Sequence, residues 1–381
     1  MPFHLLDTTM FYARHGGGVK RYLFCKHAWC LRHHIQHTIV VPGKRSAQTQ
    51  DDVVTITSPR IPFSGGYHFP LNLPAFTKII EARSPDIIEA GDPYQLAWLS
   101  RTIAHKRHIP ITAFYHSNLA RLVALRLGQS FAPLARRYIK ALYSGFDLVL
   151  APSQTLVEEL KNLGIGSAVH QPLGVDAEIF SPQKKQDDIR KQLCLPPNVK
   201  ILVYAGRFSK EKNIPVLLET MRLLGSNYHL LLIGSGMRIP ELANVTHIRY
   251  LANSEALARI LASCDALLHA GDQETFGLII LEAMACALPV IGIQKGGVAE
   301  LVDERSGFLV QEAYAPLLAE AVCCLFSKDW QSMGRQGRQK VLEQYQWHHV
   351  LSLLMQKYAA ILGVSWVTSE QPKSTILLTD V

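Results

Sequence analysis

The sequence lacks the features that mark several large classes of protein. Its 381 residues contain no run of about eighteen apolar residues, so no transmembrane helix is predicted. The first residues do not show the basic and then apolar layout of a secretion signal. The seven cysteines are an odd number and include no Cys-x-x-Cys pair, which favours reduced, mostly buried thiols. These absences together predict a cytoplasmic protein.

The positive charge of the chain is not arranged for nucleic acid. The formal net charge is +8, but no lysine and arginine tract, zinc-finger spacing or aromatic ribonucleoprotein motif accompanies it. The binding partners that this positive charge could still attract are an anionic membrane surface and a phosphorylated substrate. No Asp-x-Asp motif stands in the context of a metal site, so no metal is expected.

The length and pattern of the chain predict two α/β domains. A hydrophobic content of 48% over this length suits two globular cores better than one. Patterns typical of buried strands alternate with amphipathic helices in both halves. A polar, lysine-rich stretch from Ser181 to Asp188 separates the halves.

The most informative stretch is a predicted strand, loop, helix and strand in the second half. Asp265–Ala270 is predicted as a strand, a helix begins near Gly277, and Leu288–Gly292 is the next strand. Ligands of parallel sheets bind at the carboxyl ends of the strands, where Glu274 would lie. The free N–H groups at the helix start suit a phosphate, and Gly277 lets a ligand approach the backbone.

Two carboxylates flank this predicted anion site. Glu282 lies roughly one and a half turns into the helix, and its side chain points back toward the helix start. Two acceptor groups on either side of a phosphate suit a nucleoside diphosphate sugar, which carries hydroxyls at both ends. The alternative is that Glu274 caps the helix and Glu282 is a solvated helix residue.

A second motif supplies cations. A strand from Lys200 is followed by Gly206-Arg207 and then by Lys212. Both cations can point at a diphosphate, Arg207 as a fork and Lys212 as a point charge. The alternative is a pair of solvated surface cations.

The first half contributes a glycine loop and a histidine. Gly16, Gly17 and Gly18 separate a predicted strand from a helix, which is typical of a loop that lies against a ligand or of an ordinary turn. A strand from Pro110 ends close to His116. At a strand's carboxyl end, His116 is either a site residue or a hydrogen-bonded structural histidine.

A basic and apolar helical stretch runs from Asn118 to Ser144. It carries five cations among Leu, Val, Ala, Phe and Tyr, namely Arg121, Arg126, Arg136, Arg137 and Lys140. The pattern is typical of a face that docks on an anionic membrane and equally of an amphipathic helix pair with solvated arginines. Both interpretations stay open at the level of sequence.

These motifs together resemble the family-4 retaining glycosyltransferases, also called glycosyltransferase group 1. The resemblance is carried by Glu274, Phe276-Gly277 and a second glutamate eight positions after the first, followed by Ala-Met-Ala. It continues through the Gly-Arg and Glu-Lys-Asn element around Lys212 and the Phe-Tyr-His-Ser string that contains His116. One departure is Ala287, where the family has glycine before Leu-Pro, and we expect it to affect a helix C-cap rather than the chemistry.

The resemblance implies the GT-B fold, in which two Rossmann-like doubly wound domains face each other across a cleft. The predicted domains are an acceptor-side domain over residues 1–178 and a nucleotide-sugar domain over 179–346. A helix at about 347–362 would pack back on the first domain, and 363–381 would form a tail.

The resemblance also implies roles for the candidate residues. The expected catalytic residues are His116, Arg207, Lys212 and Glu274. The phosphates would be held by Arg207 and Lys212, the hexose hydroxyls by Glu274 and the ribose by Glu282. The expected donor-binding residues are Gly17, Gly18, Gly206, Arg207, Lys212, Glu274, Phe276, Gly277, Leu278 and Glu282.

The implied activity is the transfer of a glucose- or mannose-type hexose with retention of configuration. The donor would be a UDP- or GDP-sugar, with no metal and no other cofactor. The acceptor would be a saccharide or a lipid-linked molecule in cell-envelope glycan or glycolipid synthesis, with an anionic membrane surface as a further partner. The alternatives are a nucleotide-sugar epimerase of the same fold and a non-catalytic scaffold protein.

Overall fold

The computed structural model describes residues 3–13, 17–49, 52–62, 64–186, 188–249, 251 and 253–365. Within these ranges, no helix combines the length and the apolar content that crossing a bilayer requires. The chain forms two compact units. The second unit is Leu173–His349, and the first unit comprises the residues up to Pro172 together with those from Val350 on. Most of the predicted tail, from residue 366 on, lies outside the described residues.

The first unit is built on an eight-stranded sheet. Its strands are β1 His4–Thr8, β2 Gln36–Gly43, β3 Ala47–Gln48, β4 Val53–Thr57, β5 Ile87–Ala90, β6 Ile111–Phe114, β7 Leu148–Ala151 and β8 Ala168–His170. They lie in the order β3-β4-β2-β1-β5-β6-β7-β8, and all pairs are parallel except β3 with β4. From β1 the sheet extends to one side through β2 and β4, and from β5 it extends to the other side through β6, β7 and β8. A topological switch point therefore lies between β1 and β5.

Helices accompany this sheet. They are α1 Gly18–Arg32, α2 Leu73–Arg83, α3 Gln95–Arg107, α4 Leu119–Leu127, α5 Ala132–Tyr143 and α6 Gln154–Asn162. The central strands β1, β5 and β6 are buried along their whole length, as expected for parallel strands covered on both faces. The core of the unit includes Leu6, Phe76, Ile88 and Ile139, none of which is more than marginally exposed.

The second unit has a six-stranded, wholly parallel sheet. Its strands are β9 Lys200–Ala205, β10 Tyr228–Ile233, β11 Val245–Ile248, β12 Ala266–Leu268, β13 Val290–Ile293 and β14 Gly307–Val310. Their order, β11-β10-β9-β12-β13-β14, is that of a doubly wound nucleotide-binding fold. The switch point lies between β9 and β12, which pair directly. The predicted α/β class with two doubly wound sheets is therefore confirmed.

Helices accompany the parallel strands of the second unit. They are α7 Asp188–Gln192, α8 Ile214–Leu224, α9 Ser254–Ser263, α10 Leu278–Ala285, α11 Gly296–Leu301, α12 Ala315–Phe326 and α13 Trp330–Gln344. The last helix, α14, spans Trp347–Leu362. It begins in the second unit, and its residues from Val350 on belong to the first.

A buried lysine organises the middle of the first unit. Lys26 of α1 is fully buried, and its Nζ lies 2.9 Å from Asp7 Oδ1 and 2.8 Å from Glu89 Oε1. The hydroxyl of Tyr358, on α14, lies 3.2 Å from the same Nζ and also contacts Glu89. A buried charge requires such compensation. The network therefore joins β1, β5, α1 and α14 around one cation.

Ala287, the departure from the family pattern, lies directly after α10 in a left-handed conformation. Its φ is 60°. Its N–H donates to Met284 O at 2.9 Å, and Leu288 N–H donates to Ala283 O at 3.0 Å. These two bonds form the Schellman motif, in which this position favours glycine. The expectation that Ala287 affects a helix C-cap is confirmed.

We expect Ala287→Gly to raise the free energy of unfolding by about 1 kcal/mol, because glycine removes the cost of a Cβ at positive φ. The matched control is Ala319→Gly in the middle of α12, where the same change should lower stability by about 1 kcal/mol. Denaturant titration of both variants measures the difference. Destabilisation by both changes would contradict the capping argument.

Candidate active site

Two loops meet at the switch point of the second unit. One loop follows β9 and runs through Gly206 and Arg207 to Asn213. The other follows β12 and begins at His269. The Nδ2 group of Asn213 donates to Ala270 O at 3.0 Å and so ties the loops together. Side chains that lie far apart in sequence are thereby brought to one edge of the sheet.

The central side chain of this edge is Glu274. Its Oε1 contacts Lys212 Nζ and lies 3.0 Å from His269 Nε2. The side chains of Glu274, Lys212 and His269 are 13%, 18% and 1% exposed, and we call them the Glu274 cluster. Because both contacts fall on Oε1, Oε2 is the oxygen with capacity to accept a hydroxyl from a ligand.

Electrostatics keep the Glu274 carboxylate ionised. Burial alone would raise its pKa, but the charge of Lys212 and the hydrogen bond from His269 outweigh burial and hold the pKa well below its ordinary value. The site therefore presents a fixed carboxylate at neutral pH. The alternative in which Lys212 is a solvated surface cation is wrong.

His269 is the site residue that the sequence-based prediction missed. It occupies the first position after β12, and its ring lies 5.8 Å from that of Tyr204 at an angle of 28°. With Nε2 donating to Glu274, the imidazole holds the carboxylate from the protein side. The signal in the sequence was its place at a strand's carboxyl end, which also drew attention to His116.

The start of α10 matches the predicted anion site. Gly277 precedes the helix with φ 101° and has no side chain with which to cap this end. The Glu274 carboxylate contacts Lys212 and His269 instead, so the alternative in which Glu274 caps the helix is wrong. The turn into the helix consists of Phe276, Gly277 and Leu278. Their backbone groups therefore lie at the N-terminal end of α10, which carries a partial positive charge. Their role toward a phosphate stays a prediction.

Two further glycines explain why this loop is held so closely. A Cβ on Gly296 would lie 2.4 Å from Glu274 O, and one on Gly297 would lie 2.5 Å from Phe276 Cα. The N–H of Gly297 donates to Glu274 O at 3.0 Å. The glycine pair therefore lets α11 support the loop that carries Glu274.

Glu282 and Arg207 have different surroundings. Glu282 is 3% exposed on α10, so the alternative in which it is a solvated helix residue is wrong. Its role toward a ribose stays a prediction.

Arg207 follows Gly206 and is exposed, and its carbonyl accepts a bond of 3.2 Å from the Tyr204 hydroxyl. Both interpretations of Arg207, phosphate ligand and solvated cation, stay open.

The first unit holds the remaining candidates. Gly17 precedes α1 with open space where a Cβ would be, and Gly18 is the first residue of the helix. Gly16 lies outside the described residues. The His116 ring stacks on Phe114, with centroids 4.2 Å apart at 6°, and lies 5.2 Å from the Tyr22 ring.

The environment of His116 keeps its imidazole neutral. Burial and, secondarily, the charge of Lys26 lower its pKa to about 3. A neutral ring can donate or accept one hydrogen bond at each nitrogen but carries no charge at physiological pH. His116 is therefore suited to orient a polar group rather than to stabilise an anion.

Two family models match the chain. Residues 16–179 match a model described as Glycosyltransferase Family 4, and residues 199–328 match one described as Glycosyl transferases group 1. A GDP-mannose-dependent alpha-mannosyltransferase of Corynebacterium glutamicum is 26% identical over 86% of this chain and 81% of its own length. A GDP-mannose-dependent alpha-(1-6)-phosphatidylinositol dimannoside mannosyltransferase of Mycobacterium tuberculosis is 27% identical over 94% of this chain and 96% of its own.

Solved structures match the whole fold. Sucrose-phosphate synthase from Thermosynechococcus elongatus has a TM-score of 0.78 at 21% identity and covers 95% of this chain and 100% of its own. HepE of Anabaena, in complex with UDP and glucose, has a TM-score of 0.73 at 15% identity, covering 94% and 100%. At these identities the similarity describes the fold.

We expect His269→Phe, which keeps a ring but removes the donor, to lower the free energy of unfolding by about 1.5–3 kcal/mol at neutral pH. The bond lowers the pKa of Glu274, so its contribution is present above the ordinary carboxyl pKa of about 4.3 and is lost as pH falls toward the lowered value. The deficit of the variant should therefore shrink in acid, as measured by urea titration across pH.

The matched variant is His269→Gln, whose amide can donate to the same Glu274 oxygen. It should recover most of the lost stability. If glutamine and phenylalanine destabilise equally and without dependence on pH, His269 acts through packing alone.

Proposed function

Because the chain belongs to the family-4 glycosyltransferases and has the GT-B fold, we propose that it transfers a hexose from a nucleoside diphosphate sugar to a saccharide or lipid-linked acceptor. The observation that carries this proposal is the Glu274 cluster at the switch point of the second sheet, next to the start of α10. A carboxylate that can accept hydrogen bonds from hydroxyls lies there beside a helix start that can bind a phosphate. A hexosyl diphosphate carries hydroxyls and phosphates next to each other.

The names of the relatives favour GDP-mannose as the donor and mannose as the transferred sugar. Both relatives described above, together with two further mycobacterial ones, are named as GDP-mannose-dependent mannosyltransferases. We propose the same donor for this chain. Glu274 Oε2 would accept a hexose hydroxyl, and the buried Glu282 would bind the ribose.

The chemical step concerns the charge on the leaving diphosphate. The acceptor oxygen attacks the anomeric carbon from the side on which the diphosphate departs, so the configuration is retained. The bond from the anomeric carbon to the phosphate oxygen breaks, and that oxygen takes the proton of the acceptor hydroxyl. Arg207, Lys212 and the α10 start would stabilise the developing charge, a role that needs no divalent metal.

We expect a thermal-shift screen to single out one nucleotide. A ligand at a hundred times its dissociation constant adds about 2.7 kcal/mol of stability. The screen compares GDP, GDP-mannose, UDP, UDP-glucose and ADP in the presence of EDTA. A shift with GDP compounds alone supports the proposal, and a shift that requires added metal contradicts the metal-free site.

We expect Glu274→Ala and Lys212→Ala each to reduce turnover by roughly 10², the usual effect of removing one group that stabilises a transition state. The control is Lys210→Ala, an exposed lysine in the same turn. Release of the nucleotide from GDP-mannose, with and without acceptor, is the measurement. Wild-type rates in a folded Glu274 variant would refute the assignment. Equal release of GDP with and without acceptor would indicate a hydrolase, and conversion of GDP-mannose without acceptor and without release of GDP would indicate an epimerase.

A lipid-linked acceptor would bring the enzyme to a membrane, and the junction of α4 and α5 has the composition for this. Three large apolar side chains there are 64%, 49% and 65% exposed, namely Leu127, Phe131 and Leu134. Four exposed cations accompany them, Arg126, Arg136, Arg137 and Lys140, whereas no acidic residue occurs from 118 to 146. Exposed apolar groups beside arginines suit the interface of an anionic bilayer.

We expect the protein to cosediment with vesicles that contain phosphatidylglycerol at low salt. Each cation near such a surface contributes about 1 kcal/mol, so Arg136→Gln with Arg137→Gln should weaken partition roughly thirtyfold. The matched control is Arg305→Gln with Arg335→Gln, which removes the same charge from exposed sites of the second unit. Failure of the wild-type protein to sediment would refute membrane docking.

A further inference from the structure

Four rings of the second unit form a continuous row along the carboxyl edge of its sheet. The ring centroid of His247, near the end of β11, lies 5.3 Å from that of Phe208, which lies 6.2 Å from that of Tyr204 on β9. The next ring is that of His269, 5.8 Å from Tyr204, and its Nε2 lies 3.0 Å from Glu274 Oε1. The row therefore leads from β11 to the carboxylate of the candidate site.

His247, at the far end of this row, also holds a neighbouring loop. Its Nε2 lies 2.8 Å from the carbonyl oxygen of Gly234, the first residue after β10. A carbonyl oxygen can only accept a hydrogen bond, so Nε2 carries a proton and donates. A phenylalanine could pack against Phe208 in the same way, but it could not donate to Gly234. The hydrogen bond is therefore what histidine adds at this position.

The loop after β10 in turn holds the turn that carries Arg207. Gly206 N–H donates to Ile233 O at 3.0 Å, and Phe208 N–H donates to Ser235 O at 2.8 Å. Because Arg207 lies between these two donors in the chain, the loop after β10 fixes its backbone on both sides.

Gly234 allows the two loops to approach each other closely. Its φ is 140°, and a Cβ at this position would collide with Gly206 O and lie 2.9 Å from Phe208 Cε1. A Cβ on Gly236 would lie 2.5 Å from Phe208 O. Since no side chain of these glycines separates the loops, a displacement of the loop after β10 passes directly to the Arg207 turn.

We propose that His247 is a positioning residue for the donor. Its bond to Gly234 fixes the loop after β10, and that loop fixes the turn that presents Arg207 to a diphosphate. A phosphate ligand that is held in place before the donor arrives lowers the entropy cost of binding. The role of Arg207 rests on the proposed function, whereas the fixing of its turn by His247 does not.

Calorimetric titration of the full chain with GDP and with UDP tests the effect on binding. His247→Phe keeps a ring against Phe208 but removes the donor, and it should weaken nucleotide binding about tenfold. His247→Gln, whose amide can donate to the same carbonyl, should restore most of the affinity. A partly misfolded variant would show a lower stoichiometry at an unchanged Kd, so the two effects are separable.

The matched control is His105→Phe in the first unit. The Nε2 of His105 lies 2.9 Å from Gly145 O, so this variant loses a bond of the same kind far along the chain from the candidate site. Its affinity for the nucleotide should equal that of the wild-type protein.

A second pair of variants tests the path through Gly234. Gly234→Ala places a methyl group against Gly206 O and should weaken nucleotide binding by more than about tenfold. The control is Gly225→Ala, just before β10, where φ is also positive, at 68°, but no atom of the described residues lies within 4 Å of a Cβ. It should leave the affinity unchanged.

Hydrogen exchange gives a result that does not depend on any nucleotide. In His247→Phe, the amides of Gly206 and Phe208 should exchange about tenfold faster than in the wild-type protein, because their acceptor loop is less firmly held. Mass spectrometry of the peptide that contains both residues measures the rate. His247→Gln should return the rate toward that of the wild-type protein.

Three outcomes overturn the proposal alone. They are equal nucleotide affinity in the wild-type protein, His247→Phe and Gly234→Ala, equal exchange in the wild-type protein and His247→Phe, and equal weakening by phenylalanine and glutamine at position 247. A wild-type protein that binds neither GDP nor UDP refutes the proposed function, and the part of the inference that concerns the donor is refuted with it.

Discussion

The second unit depends on holding one ionised carboxylate, that of Glu274, in a largely buried place. Such a group is stable only when cations or donors replace the water it has lost. Lys212 and His269 supply them, but they come from loops after different strands. Only the switch point between β9 and β12 brings these loops together. The close approach of α11 through Gly296 and Gly297 then keeps the loop in place.

The first unit solves the opposite problem, a buried cation. Asp7 and Glu89 compensate the charge of Lys26, and the hydroxyl of Tyr358 on the last helix accepts a further hydrogen bond from it. The charge also acts on His116, whose neutral imidazole follows from burial and from this lysine. The chemistry available at the edge of the first sheet is therefore set partly by a residue in its core.

The sequence predicted those parts of the fold and site that depend on local pattern. Alternating strands and helices, the turn before α10 and the capping role of Ala287 all follow from short-range rules. The roles of His269 and Lys26 could not be found in this way, because they depend on partners brought close by strand order, although the place of His269 at the end of a strand indicated a position near the site. Strand order is a long-range property, and a histidine or lysine within an apolar run carries no mark of its partner. Burial of Glu282 was equally invisible, since a glutamate on a helix is usually solvated.

The two switch points carry different side chains. At the second sheet, a carboxylate, a lysine and a helix start supply the groups that the proposed nucleotide-sugar donor would require. At the first sheet, the Asp92 carboxylate accepts from the backbone N–H groups of Met10 and Tyr94, and the Phe11 ring packs edge-on against the rings of Tyr67 and Tyr94. One topology that occurs twice therefore need not serve the same ligand, because the loops at each switch point determine which groups a ligand meets.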